Sequence, residues 1–323
     1  MFYEIDMFDI TFIDGLINTI STVENKENIT LDICFNYSEY FEKIDTNKIS
    51  LDKILDKFKK NIQRLKDIGI DNINVFYKTN NDDIFNIADY RRNLNYNYCK
   101  KVDFVLWGET DSFFPKETFA VIEDVWERAE ISGIRRFILS FADRKLWDSS
   151  WRPTEHIDYE NIPFVDDEKN YLNENYAKSL LSIEKMNEIN AKTKEYDIIY
   201  INYPKIDGSC LVISSDLIKS GANIPHSLLC SGEDSSFGTI AKLICGDKFY
   251  QFVCKNILKV HARRHPNKRV YIKDEDNPYG FCSTEKGEWW KILQTMSKTN
   301  LNNLQNSQEK FFTFKDVFDK LNK

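Results

Sequence analysis

Apolar residues recur along this chain with two different spacings, and the alternation between them predicts the architecture. Phe2 to Ile10 reads as a first strand, and Phe12 to Val23 as a helix with Ile13, Leu16, Ile17 and Ile20 on one face. Ile29 to Phe35 is a second strand, ending at Asn36-Tyr37-Ser38. Ile49 to Asp67 carries one apolar stripe, Leu51, Ile54, Leu55, Phe58, Ile62 and Leu65, and Gly69 stops that helix. Ile73 to Tyr77 is a third strand, and Ile84 to Tyr98 is a polar segment with helical character that holds Arg91-Arg92-Asn93. Val102 to Trp107 is short, apolar and rich in β-branched and aromatic residues, as a buried central strand should be. Gly108 ends it, Pro115 breaks the chain, and Lys116 to Ala129 returns to helical spacing.

The second half continues the alternation. Arg136 to Phe141 is a strand, followed by an irregular segment, Ala142 to Asp166, with Trp147, Trp151, Arg152, His156 and Tyr159. A loop of that length is commonly functional; its two tryptophans stack on a ligand or cover the sheet edge. Lys169 to Lys194 reads as a charged helix, Ile198 to Tyr203 as a strand, and Asp207 to Ser215 as an extended segment entering a short helix. Phe237 to Ile244 is an apolar helix preceded by Gly232-Glu-Asp-Ser235, and Phe249 to Val260 alternates as a strand. From Glu285 onward the pattern predicts two amphipathic helices, the second over Phe311 to Leu321. Strands alternating with helices in this way predict an α/β fold with a mostly parallel central sheet.

In such sheets ligands bind beyond the carboxyl ends of the strands, where Asn36, Ser38, Glu109 and Asp111 fall. Glu109 and Asp111 are hard oxygen donors one residue apart, suited to Mg²⁺ or Mn²⁺ carrying a diphosphate. The alternative is that they are turn residues before the next helix. Glu233 and Asp234 sit where a helix begins, which favours acids for capping and dipole reasons alone. His261-Ala-Arg-Arg-His-Pro-Asn-Lys-Arg269 is the dense basic cluster of the chain, either a solvated loop or a clamp on phosphate.

Composition narrows the classes. The 323 residues, 42% of them hydrophobic, support one large α/β domain with a smaller appendage. No apolar run reaches the length of a membrane span, and the N-terminus lacks a signal-peptide pattern. Seven dispersed cysteines without a Cys-x-x-Cys pair point to reduced thiols, and so to a cytoplasmic protein (in a host's cytoplasm, if viral). A net charge of −7 argues against wholesale wrapping of nucleic acid.

Four of these patterns together resemble the GT-A glycosyltransferases of the large inverting family 2, over roughly residues 1–265. Asn36-Tyr-Ser38 resembles the family's nucleoside-contacting Asp-x-Ser, with Asn in place of the acid. Arg92-Asn93 resembles its Arg-Asn, and Phe104 to Asp111 resembles its strand ending in Asp-x-Asp, with Glu109 in place of the first acid. Gly232-Glu-Asp234 resembles the Glu-Asp that carries the general base. The Pro-x-x-Asn that often opens the family is absent near Asp6 to Thr11.

The resemblance implies a Rossmann-like GT-A domain over 1–270, with a nucleotide-sugar half to about 115 and an acceptor half from about 116. A helical extension would cover 271–323. It implies a hexosyltransferase using a nucleotide-diphosphate sugar, a UDP-sugar first of all, with Mn²⁺ or Mg²⁺ held by Asp111, Glu109 and His261. Asn36, Ser38, Arg92, Asn93, Glu109, Arg263 and Arg264 would bind the donor, and Trp147, Trp151 and Arg152 the acceptor. Asp234 would be the base, with Glu233 as the alternative; a helix N-terminus should keep Asp234 ionised. The acceptor would be a glycan or, in a phage-type variant, hydroxymethylated DNA. Other readings are a nucleotidyltransferase, for which Asp6 to Asp14 lacks a Gly-rich loop, and a non-catalytic sugar-binding module.

Overall fold

The computed structural model describes residues 2–4, 12–36, 51–78, 86–109, 112–144, 149–160, 182–202, 205–229, 232–261, 284–306 and 312–321. In chain order its first elements are β1 (Phe2–Glu4), α1 (Phe12–Ile20), β2 (Leu31–Asn36), α2 (Leu51–Asp67), β3 (Ile73–Lys78), α3 (Ile87–Tyr98) and β4 (Phe104–Trp107). β5 (Ser112–Phe113), α4 (Thr118–Ile131), β6 (Phe137–Ala142), α5 (Ile183–Asn190), β7 (Ile198–Ile201) and β8 (Leu211–Ser214) follow. The chain continues with α6 (Ser215–Lys219), α7 (Glu233–Cys245), β9 (Tyr250–Leu258), β10 (Val260–His261), α8 (Thr284–Gln305) and α9 (Phe314–Leu321).

β1, β2 and β3 form a parallel sheet in that order, with Ile33 opposite Val75 and Cys34 opposite both Phe2 and Phe76. The predicted stripe of α2 closes on it, for Phe58 and Leu65 are fully buried with Ile13, Ile20, Ile33 and Ile70. α3 starts on a capping box, in which Asn86 accepts from the amides of Ala88 and Asp89 and the Asp89 carboxylate accepts from the Asn86 amide.

The second sheet has the order β4-β8-β6-β9-β7. Only β6 and β9 pair in parallel there; β4 with β8, β8 with β6, and β7 with β9 are antiparallel. The expectation of a mostly parallel central sheet is therefore corrected: the chain is α/β, with a mixed central sheet flanked by helices. Apolar periodicity marks where a strand lies but not its direction. The reversed members are β8, which runs against both β4 and β6, and β7 at the edge, which runs against β9.

Both faces of this sheet are covered, and every residue of β6 is buried. Leu139 and Phe141 face α4, through Val121, Val125 and Ala129, while Ile138 shares the opposite core with Leu217, Phe237 and Ala241 of α6 and α7. The two C-terminal helices dock on the same body: Asn300 donates to the carbonyls of Ser227 and Phe312, and Leu301 packs against the α6–α7 core. No described helix is long and apolar enough to cross a membrane.

Candidate active site

β4, β6 and β9 end, and β8 begins, at one end of the five-stranded sheet, and the buried charges gather there. Their centre is Arg91. α3 turns Ala88, Arg91 and Asn95 inward, and all three are buried. The Arg91 guanidinium lies over the Trp107 ring, 4.9 Å from its centroid, and the indole N–H donates to Asn95 Oδ1 at 3.0 Å. From there Arg91 donates to Glu233 Oε1 at 2.6 Å, Glu109 Oε1 at 2.8 Å and the Gly208 carbonyl at 2.9 Å. One cation thus joins the end of β4, the start of α7 and the loop before β8. Burial works against its charge, but Glu109 and Glu233 outweigh it and hold the guanidinium above its ordinary pKa.

Gly208 is required by this packing, because a Cβ there would lie 2.3 Å from Arg91 Nη1. Its neighbours form a second buried knot. Lys259, 2% exposed, donates to Asp207 Oδ2 at 2.7 Å, to the Ser209 carbonyl at 2.8 Å and to Ser209 Oγ at 2.7 Å. Ser209 Oγ also donates to Asp207 Oδ2, and Cys210 follows with φ 53°, a left-handed conformation uncommon for a residue other than glycine. The loop is fixed from both sides, and the Gly208 amide donates to Asp234 Oδ2 at 3.1 Å.

Glu233 and Asp234 open α7, whose preceding residue, Gly232, has φ 84°. Nothing would crowd a Cβ at Gly232, so it is the backbone conformation that favours glycine. Glu233 is buried against Arg91, whereas Asp234 is partly exposed and accepts from the Ser235 amide at 2.6 Å. Both carboxyls titrate above the ordinary carboxylate range. Burial is the main cause, followed by Asp234 for Glu233 and by Asp207 for Asp234. At Asp234, burial and a neighbouring acid thus act against the helix terminus, which favours the ionised form.

The other expected site residues fall in three groups. Glu109 and Trp151 lie at this end of the sheet; Trp151 belongs to a 3₁₀ turn, Ser149–Thr154, with Lys205 Nζ 5.0 Å from its ring centroid. Arg152 is in the same turn with its side chain exposed, and its carbonyl accepts from Lys255. Arg92 and Asn93 do not reach the acids: Arg92 donates to the carbonyls of Ile224 and Pro225 and to Asp89, and Asn93 is exposed. Arg92 is a structural clamp, and its neighbour Arg91 occupies the centre. Ser38, Asp111, Trp147, Arg263 and Arg264 lie outside the described residues, as do the side chains of Asn36 and His261.

Sequence pattern alone does not single out Arg91, Asp207 or Lys259. Arg91 had a signal, its place three residues after Ala88 and four before Asn95 on one helix face. Asp207 and Lys259 had none, because they meet across 52 residues.

Among the described residues no group of three or more His, Cys, Asp and Glu could hold a metal ion. β10 pairs with β5, setting His261 opposite Ser112, the residue after Asp111, while Ser112 Oγ bonds the Glu109 backbone.

Neither a protein-family model nor a curated protein sequence matches the chain. Among solved structures it is similar to S. aureus TarS 1-349, at 12% identity and a TM-score of 0.39, over 99% of this chain and 88% of that one. A structure of S. aureus TarS gives the same identity and TM-score over 93% of this chain, which spans 47% of that protein's length. A similarity this loose says nothing of activity.

Proposed function

We propose that the chain is a glycosyltransferase, moving a hexose from a nucleotide-diphosphate sugar to an acceptor hydroxyl by a single inverting displacement. The observation that carries this is the arrangement around Arg91: a partly exposed carboxylate, Asp234, held beside a strand-end acid, Glu109, beyond the ends of the sheet strands. Asp234 takes the proton of the acceptor hydroxyl as its oxygen bonds to the anomeric carbon and the bond to the leaving diphosphate breaks. Its pKa, raised above the ordinary carboxylate value, suits that role, since a stronger base accepts a proton more readily. Glu233 is the weaker candidate because its Oε1 is held by Arg91 and its side chain is buried.

Asp111, Glu109 and His261 would hold a divalent cation, Mn²⁺ or Mg²⁺, which when bound supplies neutralisation of the departing diphosphate. Arg263 and Arg264 would add hydrogen bonds to its phosphates, Asn36 and Ser38 would meet the nucleoside, and Trp147 and Trp151 would stack on the acceptor. A UDP-sugar is the first donor to test.

The test is turnover of UDP-, GDP-, CMP- and TDP-sugars with and without Mn²⁺, for the wild type and Asp234→Asn. Asn preserves the shape and can still accept from the Gly208 and Ser235 amides, so the variant should melt like the wild type and bind nucleotide as well, yet lose on the order of 10²–10⁴ in turnover. Full turnover in Asp234→Asn and in Glu233→Gln would remove the proposed mechanism.

A further inference from the structure

At the opposite end of the five-stranded sheet lies a cavity whose wall carries charge of the other sign. Arg135 and Arg136 precede β6, Lys248 and Tyr250 stand at the start of β9, and Asp216 and Lys219 belong to α6, which follows β8. They line an open cavity of about 530 Å³, with four cations and one carboxylate in its wall.

Helix dipoles offer an ordinary explanation, because α4, α6 and α7 all end here and cations are favoured at helix C-termini. It accounts for only part of the charge. Each of these helices already has a basic residue in its own last turn: Arg128, Lys219 and Lys242 respectively. Arg135, Arg136 and Lys248 are additional. Among the described residues Asp216 is the one acid of the wall, and it is divided between Lys219 at 3.3 Å and Arg135 at 4.0 Å. On a chain of net charge −7 this is a local excess of positive charge.

Exposed aliphatic side chains stand at the ends of the helices beside the cavity. Ile131, the last residue of α4 and two before Gly133 of the wall, is 89% exposed. On the other side Leu243 is 67% and Ile244 49% exposed, near the end of α7. That end abuts α6: Cys245 Sγ lies 3.1 Å from Ser220 Oγ, and Ile244 Cδ1 is 3.7 Å from where a Cβ on Gly221 would sit.

We propose that this end of the molecule docks on a membrane surface rich in acidic phospholipid. The cations take the headgroup phosphates, and Ile131 and Leu243 enter the boundary between headgroups and acyl chains. A nucleic acid would satisfy the cations but has no apolar phase to receive aliphatic side chains, which a bilayer has. The six residues of β6 separate this face from the carboxylate end by roughly 20 Å, at about 3.3 Å per residue, so docking leaves the candidate active site open to water. The inference does not depend on the glycosyl-transfer reading.

The test is flotation of the full chain with vesicles of phosphatidylcholine alone and of phosphatidylcholine with phosphatidylglycerol, at low and high salt. The chain should float only with the acidic vesicles, and less at high salt. Arg135→Ser and Lys248→Ser should each lower partitioning about fivefold, the equivalent of about 1 kcal/mol for a basic residue at an anionic surface. Ile131→Ser with Leu243→Ser should weaken it at low salt as well. Circular dichroism of each variant would establish that it is folded. No flotation of the wild type with acidic vesicles, or equal flotation of the folded variants, would overturn the proposal. Binding of a labelled single-stranded oligonucleotide without vesicle binding would overturn it too, and reassign the face to nucleic acid.

Discussion

The two ends of the central sheet hold charge in opposite ways. At the carboxylate end Arg91 and Lys259 have side chains only 2% exposed, and each is bonded to acids at 2.6–2.8 Å. At the basic end Arg135 is 71% exposed and meets its nearest acid at 4.0 Å. A buried charge must be matched, because solvation lost is recovered only through well-placed partners, so matching it fixes the geometry of everything attached. An exposed charge fixes little and contributes to a field that a partner can feel. Position is set at one end and potential at the other.

The sharpest way to break this contrast is to remove the buried cation. Arg91→Leu would leave Glu109 and Glu233 facing one another without a counter-charge, and should cost about 3–5 kcal/mol in denaturant unfolding. Adding Glu233→Gln should restore part of that loss, because the uncompensated charge is then one fewer. A cost below about 1 kcal/mol for Arg91→Leu would mean that water reaches the pair and that the charge is not buried in solution.

Gly208→Ala tests the same centre by volume. A methyl group would stand 2.3 Å from Arg91 Nη1 and 3.0 Å from Cζ, and the guanidinium is held by three hydrogen bonds. Either the loop or the arginine must move, at a cost of about 1–3 kcal/mol. Because Gly208 also bonds Asp234, turnover should fall as well as the melting temperature.

A smaller effect distinguishes the ends by pH. Glu233 and Asp234 titrate above their ordinary values, so the folded chain holds their protons more tightly than the unfolded chain. Between the ordinary carboxylate pKa and the raised one, the unfolded state binds fewer protons, so stability from these two groups falls as pH rises. It is fully present below the ordinary value and lost through the raised one. Glu233→Gln should flatten that slope in melts taken across the window, whereas Lys248→Ser at the basic end should leave it unchanged. An equal slope in wild type and Glu233→Gln would place the titration elsewhere.

The residues that the sequence made legible share a physical reason. α2 was readable from Leu51 to Leu65 because a helix buried on one face repeats its apolar stripe every three or four residues. Glu109, Glu233 and Asp234 were readable because acids after an apolar strand or at a helix start are local patterns. The mixed direction of the central sheet was not readable, because β8 has an apolar run that fits either direction. Which of Arg91 and Arg92 meets the acids was not readable for a related reason. Adjacent helical residues differ by about 100° in direction, and matching a motif does not show which of the two faces the acids. The knot of Asp207, Ser209 and Lys259 depends on β9 passing beside the loop before β8, a long-range contact that no local window contains.

The smallest expected effect is the one that isolates the basic end. Arg135 and Asp216 are 4.0 Å apart, with the arginine side chain 71% exposed, and Asp216 already has Lys219 at 3.3 Å. Water screens such a pair, and removing one member leaves the other solvated, so no unmatched buried charge results. Arg135→Ser should therefore change unfolding free energy by no more than about 0.5 kcal/mol, the range of ordinary surface substitutions. It should also leave turnover unaltered, because it lies at the far end of β6 from Asp234. If the contrast between the ends is right, the change shows itself only in the salt-dependent vesicle partitioning. A loss of stability comparable to that of Arg91→Leu would show instead that Arg135 is matched and positional, and the distinction between the two ends would fail.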